Sequence, residues 1–272
     1  MGQSWQLCRQ GQNNFRVKGQ TLGHFLGLGL SLLLSGVPGD KLLAQSPGLG
    51  ELLQQAKQQV EQGQVSEAIA TYQQVSHLAP DNVAVLISLG YLYAHQGNYP
   101  EAVQTYQKAR QLDPQNPDIS ARLGFCYAAL GEDNAAISAY AGAIALDPEQ
   151  VSYHLGMGVL LLRQGDYARV ENTYQQILAL DPQNVEARVM MGAALVAQGD
   201  TARAQTFLKT AQKQFPQQPE FILQRATLEF QQNHLEQALT LVKQALTQFP
   251  DNPKVQKAGQ RLQRQIREKV SP

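Results

Sequence analysis

The chain has 272 residues with 22 basic and 22 acidic side chains, a formal net charge of zero, and is 43% hydrophobic and 16% charged. This composition is too apolar for a disordered chain, and two Cys are too few for a disulfide scaffold. A neutral balance also lacks the basic excess of most nucleic-acid binders.

The charge is unevenly placed. Residues 1–44 hold Arg9, Arg16, Lys18 and Lys41 against Asp40, and residues 253–272 hold Lys254, Lys257, Arg261, Arg264, Arg267 and Lys269 against Glu268. The stretch between them carries 12 bases and 20 acids, so an acidic body lies between two basic ends. From Gly19 to Gly39 there is no charged residue, and the apolar run Leu22–Val37 follows Arg9, Arg16 and Lys18. A basic flank, a short apolar run, then Pro38 and small residues is the layout of a secretory signal. The run has 16 residues, four of them Gly, against the roughly 20 apolar residues that a spanning helix needs. Residues 1–44 are therefore expected to be a signal peptide cut after Ala44 or after Gly39, which places the protein in a periplasmic or lumenal space. The alternatives are a membrane anchor at residues 22–37 and a buried N-terminal helix. Cleavage would leave Cys126 as the only thiol.

Beyond this segment the sequence repeats. Pro recurs at 80, 114, 148, 182, 216 and 250, always 34 residues apart. In the same register Gly stands at 63, 97, 131, 165 and 199, with Asn233 in the sixth copy. Ala68, Ala102, Ala136, Ala204 and Ala238 follow, with Val170 in the fourth copy. Four residues later come Tyr72, Tyr106, Tyr140, Tyr174, Leu208 and Val242. Leu89-Gly90, Leu123-Gly124, Met157-Gly158 and Met191-Gly192 lie in the first half of copies two to five. A fixed period of this size signals a repeat architecture. Each copy reads as two helices, as at 83–96 and 100–113. Gly97 supplies a left-handed cap, Pro100 fits the first turn of the second helix, and Pro114 keeps Asp113 out of helical geometry.

This pattern of Leu-Gly-x-x-Tyr, Gly, Ala, Tyr, Ala and Pro resembles the tetratricopeptide repeat family. The resemblance covers six copies, 49–82, 83–116, 117–150, 151–184, 185–218 and 219–252, and implies an all-α, right-handed α-solenoid. The outer copies depart from the pattern, with Gln55-Ala56 and Arg225-Ala226 in place of Leu-Gly, as terminal repeats do. In residues 253–272, Val255, Ala258, Leu262 and Ile266 share one helical stripe among bases, which predicts a helix capping the last repeat. Its charges either face solvent or attach the protein to anionic lipid.

No motif marks a catalyst. The five His, at 24, 77, 95, 154 and 234, show no i, i+3 or i+4 pairing, so metal-ligand spacing is missing. Phosphate loops, nucleophile elbows and zinc-protease motifs are missing too. No enzymatic activity, metal or cofactor is expected.

Positions 2, 5, 9, 12 and 13 of each first helix share one face, and in tetratricopeptide arrays that face lines the concave groove. Here it carries Leu53 and Lys57 in copy one, Ile87, Tyr91 and His95 in copy two, and Phe125 in copy three. Leu155 and Val159 continue it in copy four and Val189 in copy five. These nine are the candidate partner-binding residues, with Tyr91 and Phe125 as aromatic anchors. The same apolar face equally suits side-by-side packing of neighbouring first helices. The family's best-known variant grips a C-terminal carboxylate with polar residues at positions 5 and 9; Lys57 holds position 9 of copy one, but Ile87, Tyr91, Ala121 and Phe125 replace its polar partners. The expected function is a non-catalytic scaffold for a partner protein, bound as a peptide or helix, with no nucleic acid. Alternatives are an assembly factor for an envelope or photosynthetic membrane complex, and a regulatory domain for a glycan or wall enzyme. Peripheral membrane contact, through the N-terminal segment or the basic C-terminal helix, is the remaining partner expectation.

Overall fold

Residues 48–270 are described by the computed structural model, and they form thirteen α-helices with no strand among them. The signal or anchor expectation for residues 1–44 lies outside this range. The first helices of the six copies are α1 (Leu49–Glu61), α3 (Val83–His95), α5 (Pro117–Leu130), α7 (Val151–Gln164), α9 (Val185–Gln198) and α11 (Pro219–Gln231). The second helices are α2 (Val65–Leu78), α4 (Tyr99–Leu112), α6 (Asp133–Leu146), α8 (Tyr167–Leu180), α10 (Thr201–Gln214) and α12 (Leu235–Gln248), and α13 (Pro253–Val270) follows them. The chain divides into two compact units, Met1–Leu160 and Leu161–Pro272. Among the described residues no helix is long and apolar enough to cross a membrane.

One residue sets the turn inside each copy. Gly63, Gly97, Gly131, Gly165 and Gly199 have φ between 72° and 82°, where a side chain is strained, and copy six uses Asn233 at 66°. The amide two residues beyond the first helix's last carbonyls then bonds five residues back, Asn98 to the Tyr93 carbonyl and His234 to that of Glu229, both at 2.9 Å. This closes the helix end as a Schellman-type cap. Between copies, the residue before each repeat Pro leaves helical geometry, Asp113 at φ −133° and Asp181 at φ −131°, because Pro disfavours helix there. Side chains restart the next helix: Asn82, Asn184 and Asn252 accept from the N–H of Val85, Ala187 and Val255 at 3.2, 2.9 and 3.2 Å.

Packing follows the same register. Ala68, Ala102, Ala136, Val170, Ala204 and Ala238 are each 0% exposed. The Tyr106 ring lies on Gly90 and the Tyr140 ring on Gly124, so closely that a Cβ on either glycine would sit 2.8 Å from the ring. In copy five Leu208 takes that place over Gly192. Within each unit the principal contacts join helices adjacent or next-but-one in the chain.

In the second unit α13 lays Val255, Leu262 and Ile266 against Phe230, Leu235, Leu241 and Leu246 of α11 and α12. The predicted stripe needs one correction: Ala258 is exposed and Gly259 is buried in its place. A Cβ at Gly259 would meet Leu246 at 2.7 Å, so only a glycine lets the helices come this close.

Gly90→Ala is expected to cost about 1–3 kcal/mol of stability through overpacking against Tyr106. Gly142→Ala, where a Cβ meets nothing within 4 Å on α6, should instead add about 0.5–1 kcal/mol from helix propensity. Urea denaturation measures both, and effects of the same sign would contradict the packing described.

Candidate partner-binding face

The first-helix residues of the first unit sort by depth. Leu53 and Lys57 on α1, Ile87 on α3, and Leu155 and Val159 on α7 are half-buried, while His95 at the end of α3 is exposed. Tyr91 and Phe125 keep only 5% and 8% of their surface. Tyr91 belongs to a cluster with Ile69, Val85 and Leu89, against which Leu53 packs. Phe125 belongs to another with Ala102, Ile119 and Leu123, against which Ile87 packs. Position 5 of one copy thus shares a cluster with position 9 of the next, twice over. Both rings are held largely by the array's own helices: Tyr91 lies 6.1 Å from the His95 ring, and Phe125 lies 6.1 Å edge-on from Tyr99. Val189 is half-buried in the second unit, where its carbonyl accepts from Gln224 Nε2 at 2.8 Å.

Arg122, which no repeat position singles out, is the polar centre of the first unit's face. Its guanidinium acts through space on Tyr91, Tyr106, Cys126 and Tyr153. Burial pushes all four of those groups up in pKa, and the nearby cation pulls each partly back. Tyr153 is raised further because its hydroxyl donates to Asp118 Oδ1 at 2.6 Å. Arg122 Nε is itself buried without a hydrogen-bond partner.

Two further contacts tie neighbouring copies together. Gln73 Nε2 donates to the Tyr93 hydroxyl at 2.7 Å, and Gln107 Nε2 donates to that of Tyr127 at 2.8 Å. The signal was present in the period, since Gln73 and Gln107, like Tyr93 and Tyr127, stand 34 residues apart. His154 is 3% exposed, and its Nε2 donates to the Pro148 carbonyl at 2.8 Å, which fixes the proton on that nitrogen.

The chemistry on offer is apolar contact with a few hydrogen bonds. Cys126 is 0% exposed, and burial pushes its thiol up to about 12, so it holds its proton at neutral pH and is no nucleophile. Among the described residues no group of three or more His, Cys, Asp or Glu could hold a metal ion.

A tetratricopeptide repeat family model matches residues 95–160, 161–224 and 195–262, and a second such model matches residues 53–117. No curated protein matches the sequence. Among solved structures, MamA is 23% identical with a TM-score of 0.59, over 62% of this chain and 92% of that one. PilW, a widely conserved type IV pilus biogenesis factor, is 18% identical with a TM-score of 0.59, over 77% and 97%. A tetratricopeptide repeat protein from Parabacteroides merdae ATCC 43184 is 18% identical with a TM-score of 0.53, over 96% and 99%. At these identities the likeness is one of fold.

Phe125→Ala is expected to lower the free energy of unfolding by about 3–5 kcal/mol, the usual cost of removing a buried Phe. Cys126 should resist iodoacetamide at pH 8 until urea is added, as read by peptide mass mapping. A stability loss too small to measure, or ready labelling of native protein, would contradict the burial described.

Proposed function

The chain belongs to the tetratricopeptide repeat family, and on that premise we propose that it is an exported, non-catalytic scaffold that holds a partner peptide or helix against the first-helix face of its first unit. Proteins of this family are in general interaction scaffolds, and the coarse role, protein binding, follows from membership. The observation that carries the finer reading is the set of half-exposed aliphatic side chains Leu53, Ile87, Leu155 and Val159, drawn from three different first helices. Apolar contacts presented by helices suit the apolar face of an amphipathic helix. Tyr91 lies beneath Leu53 and Phe125 beneath Ile87, and Lys57 and His95 supply polar edges. Val189 is a separate point of contact on the second unit. Export rests on the sequence of residues 1–44, and it makes an envelope component the favoured partner, including one that the protein helps to assemble.

The full chain carrying Ile87→Gln and Leu155→Gln should lose at least tenfold in affinity for a partner captured from detergent-solubilised envelope, with its melting temperature nearly unchanged. Recovery of the same partner with undiminished affinity would sink the proposed face. For export, mass spectrometry should find mature protein beginning near Gln45 in a soluble exported fraction. An intact N-terminus on cytosolic protein would refute export, and one in the membrane fraction would favour the anchor at residues 22–37.

A further inference from the structure

Helix α13 has two opposed faces. Val255, Gly259, Leu262 and Ile266 are buried against α11 and α12. At about 100° per residue these four fall within an arc of about 60°. Lys254, Lys257, Arg261 and Arg264 fall within an arc of about 80° on the opposite side, with Arg267 beside them. Lys254, Lys257, Arg264 and Arg267 are exposed and Arg261 is half-buried. From Lys254 to Arg267 the row runs about 20 Å along the helix.

No ion pair holds this row to the fold. Among the described residues none of its five bases forms an ion pair, whereas Arg203 on α10 is paired with Glu171 on α8. The helix holds a single acid, Glu268, and Lys269 is engaged over the Phe230 ring at 5.0 Å. Like charges three and four residues apart on a helix repel one another. A helix that merely closes an array needs a polar outer face, which α1 provides with Gln54, Gln55, Gln58 and Gln59 and without such repulsion.

We propose that the outer face of α13 docks onto an anionic membrane surface, through the phosphates of acidic phospholipid headgroups. The remaining chain from 45 to 252 carries 20 acids against 12 bases, so a polyanion that wrapped it would be repelled, while a flat surface meets one helix face alone. No exposed aromatic accompanies the bases to stack on nucleobases. Export, as proposed from residues 1–44, carries the chain across a membrane and leaves it beside one.

The test is co-sedimentation of the full chain with phosphatidylcholine vesicles, with and without added phosphatidylglycerol, at low and high salt. The comparison protein carries Lys254→Gln, Lys257→Gln, Arg261→Gln and Arg264→Gln. Each base near an anionic surface contributes about fivefold in affinity. The fourfold variant should therefore bind phosphatidylglycerol vesicles at least about a hundredfold more weakly, and Lys257→Gln with Arg264→Gln about 25-fold more weakly. Binding of the native chain should also fall at high salt. Both variants should keep the native circular dichroism and match the native chain on pure phosphatidylcholine, which gives the binding that does not depend on surface charge. Equal binding of native chain and folded variants to phosphatidylglycerol vesicles overturns the proposal. So does binding of a short DNA duplex as tight as that of vesicles, or a salt-sensitive oligomer that the variants lose with no change on vesicles.

Discussion

Five side chains at one register position, Ala68, Ala102, Ala136, Ala204 and Ala238, are wholly withdrawn from solvent and set the distance between the two helices of their copies. That distance brings the next large residue of the second helix down onto the first, as Tyr106 sits on Gly90 and Tyr140 on Gly124. The same ring then reaches the following copy: a Cβ on Gly156 would meet Tyr140 at 2.5 Å. A small residue thus governs both the spacing inside a copy and the stacking of one copy on the next. Interiors at crystal-like density transmit such a constraint, because they hold no slack to absorb it.

The helices were legible in the sequence because their stops are local. Expected spans of 83–96 and 100–113 correspond to Val83–His95 and Tyr99–Leu112. A glycine in left-handed geometry and a proline that forbids helix before it act without reference to the rest of the chain. Asn233 shows the rule surviving a change of residue, since Asn is the side chain that best tolerates φ of 66°. Where the outcome depended on a neighbour, the reading slipped by one residue. Ala258 and Gly259 are both small, and only the approach of Leu246 decides which of them turns inward.

The candidate face was harder to read for a related reason. Apolar residues at positions 5 and 9 suit a groove and suit helix-on-helix packing equally well, so periodicity identifies the face without saying how far a neighbour closes over it. Tyr91 and Phe125 lie deep, while Leu53 and Ile87 on the same faces stay partly open. Arg122 was illegible because repetition makes shared positions conspicuous and single ones silent. The Tyr106 hydroxyl meets Arg122 where the equivalent Tyr140 meets the backbone of Gly156. That one substitution of side chain for glycine sets a cation among the buried hydroxyls, whose charge is felt at Tyr91 and Tyr153.

Contacts confined to neighbouring helices bear on how the chain reaches its native state. Such local pairing means low contact order, hence rapid folding, and a copy can order as soon as the one before it has done so. The hazard is misassembly, because six copies built to one rule offer nearly interchangeable partners, and repeat proteins characteristically fail in this way. Departures from the rule, Val170 in place of Ala and Leu208 and Val242 in place of Tyr, give their copies packing surfaces of a different shape. A copy whose surface differs is a poorer substitute for its fellows, so irregularity works against such exchange.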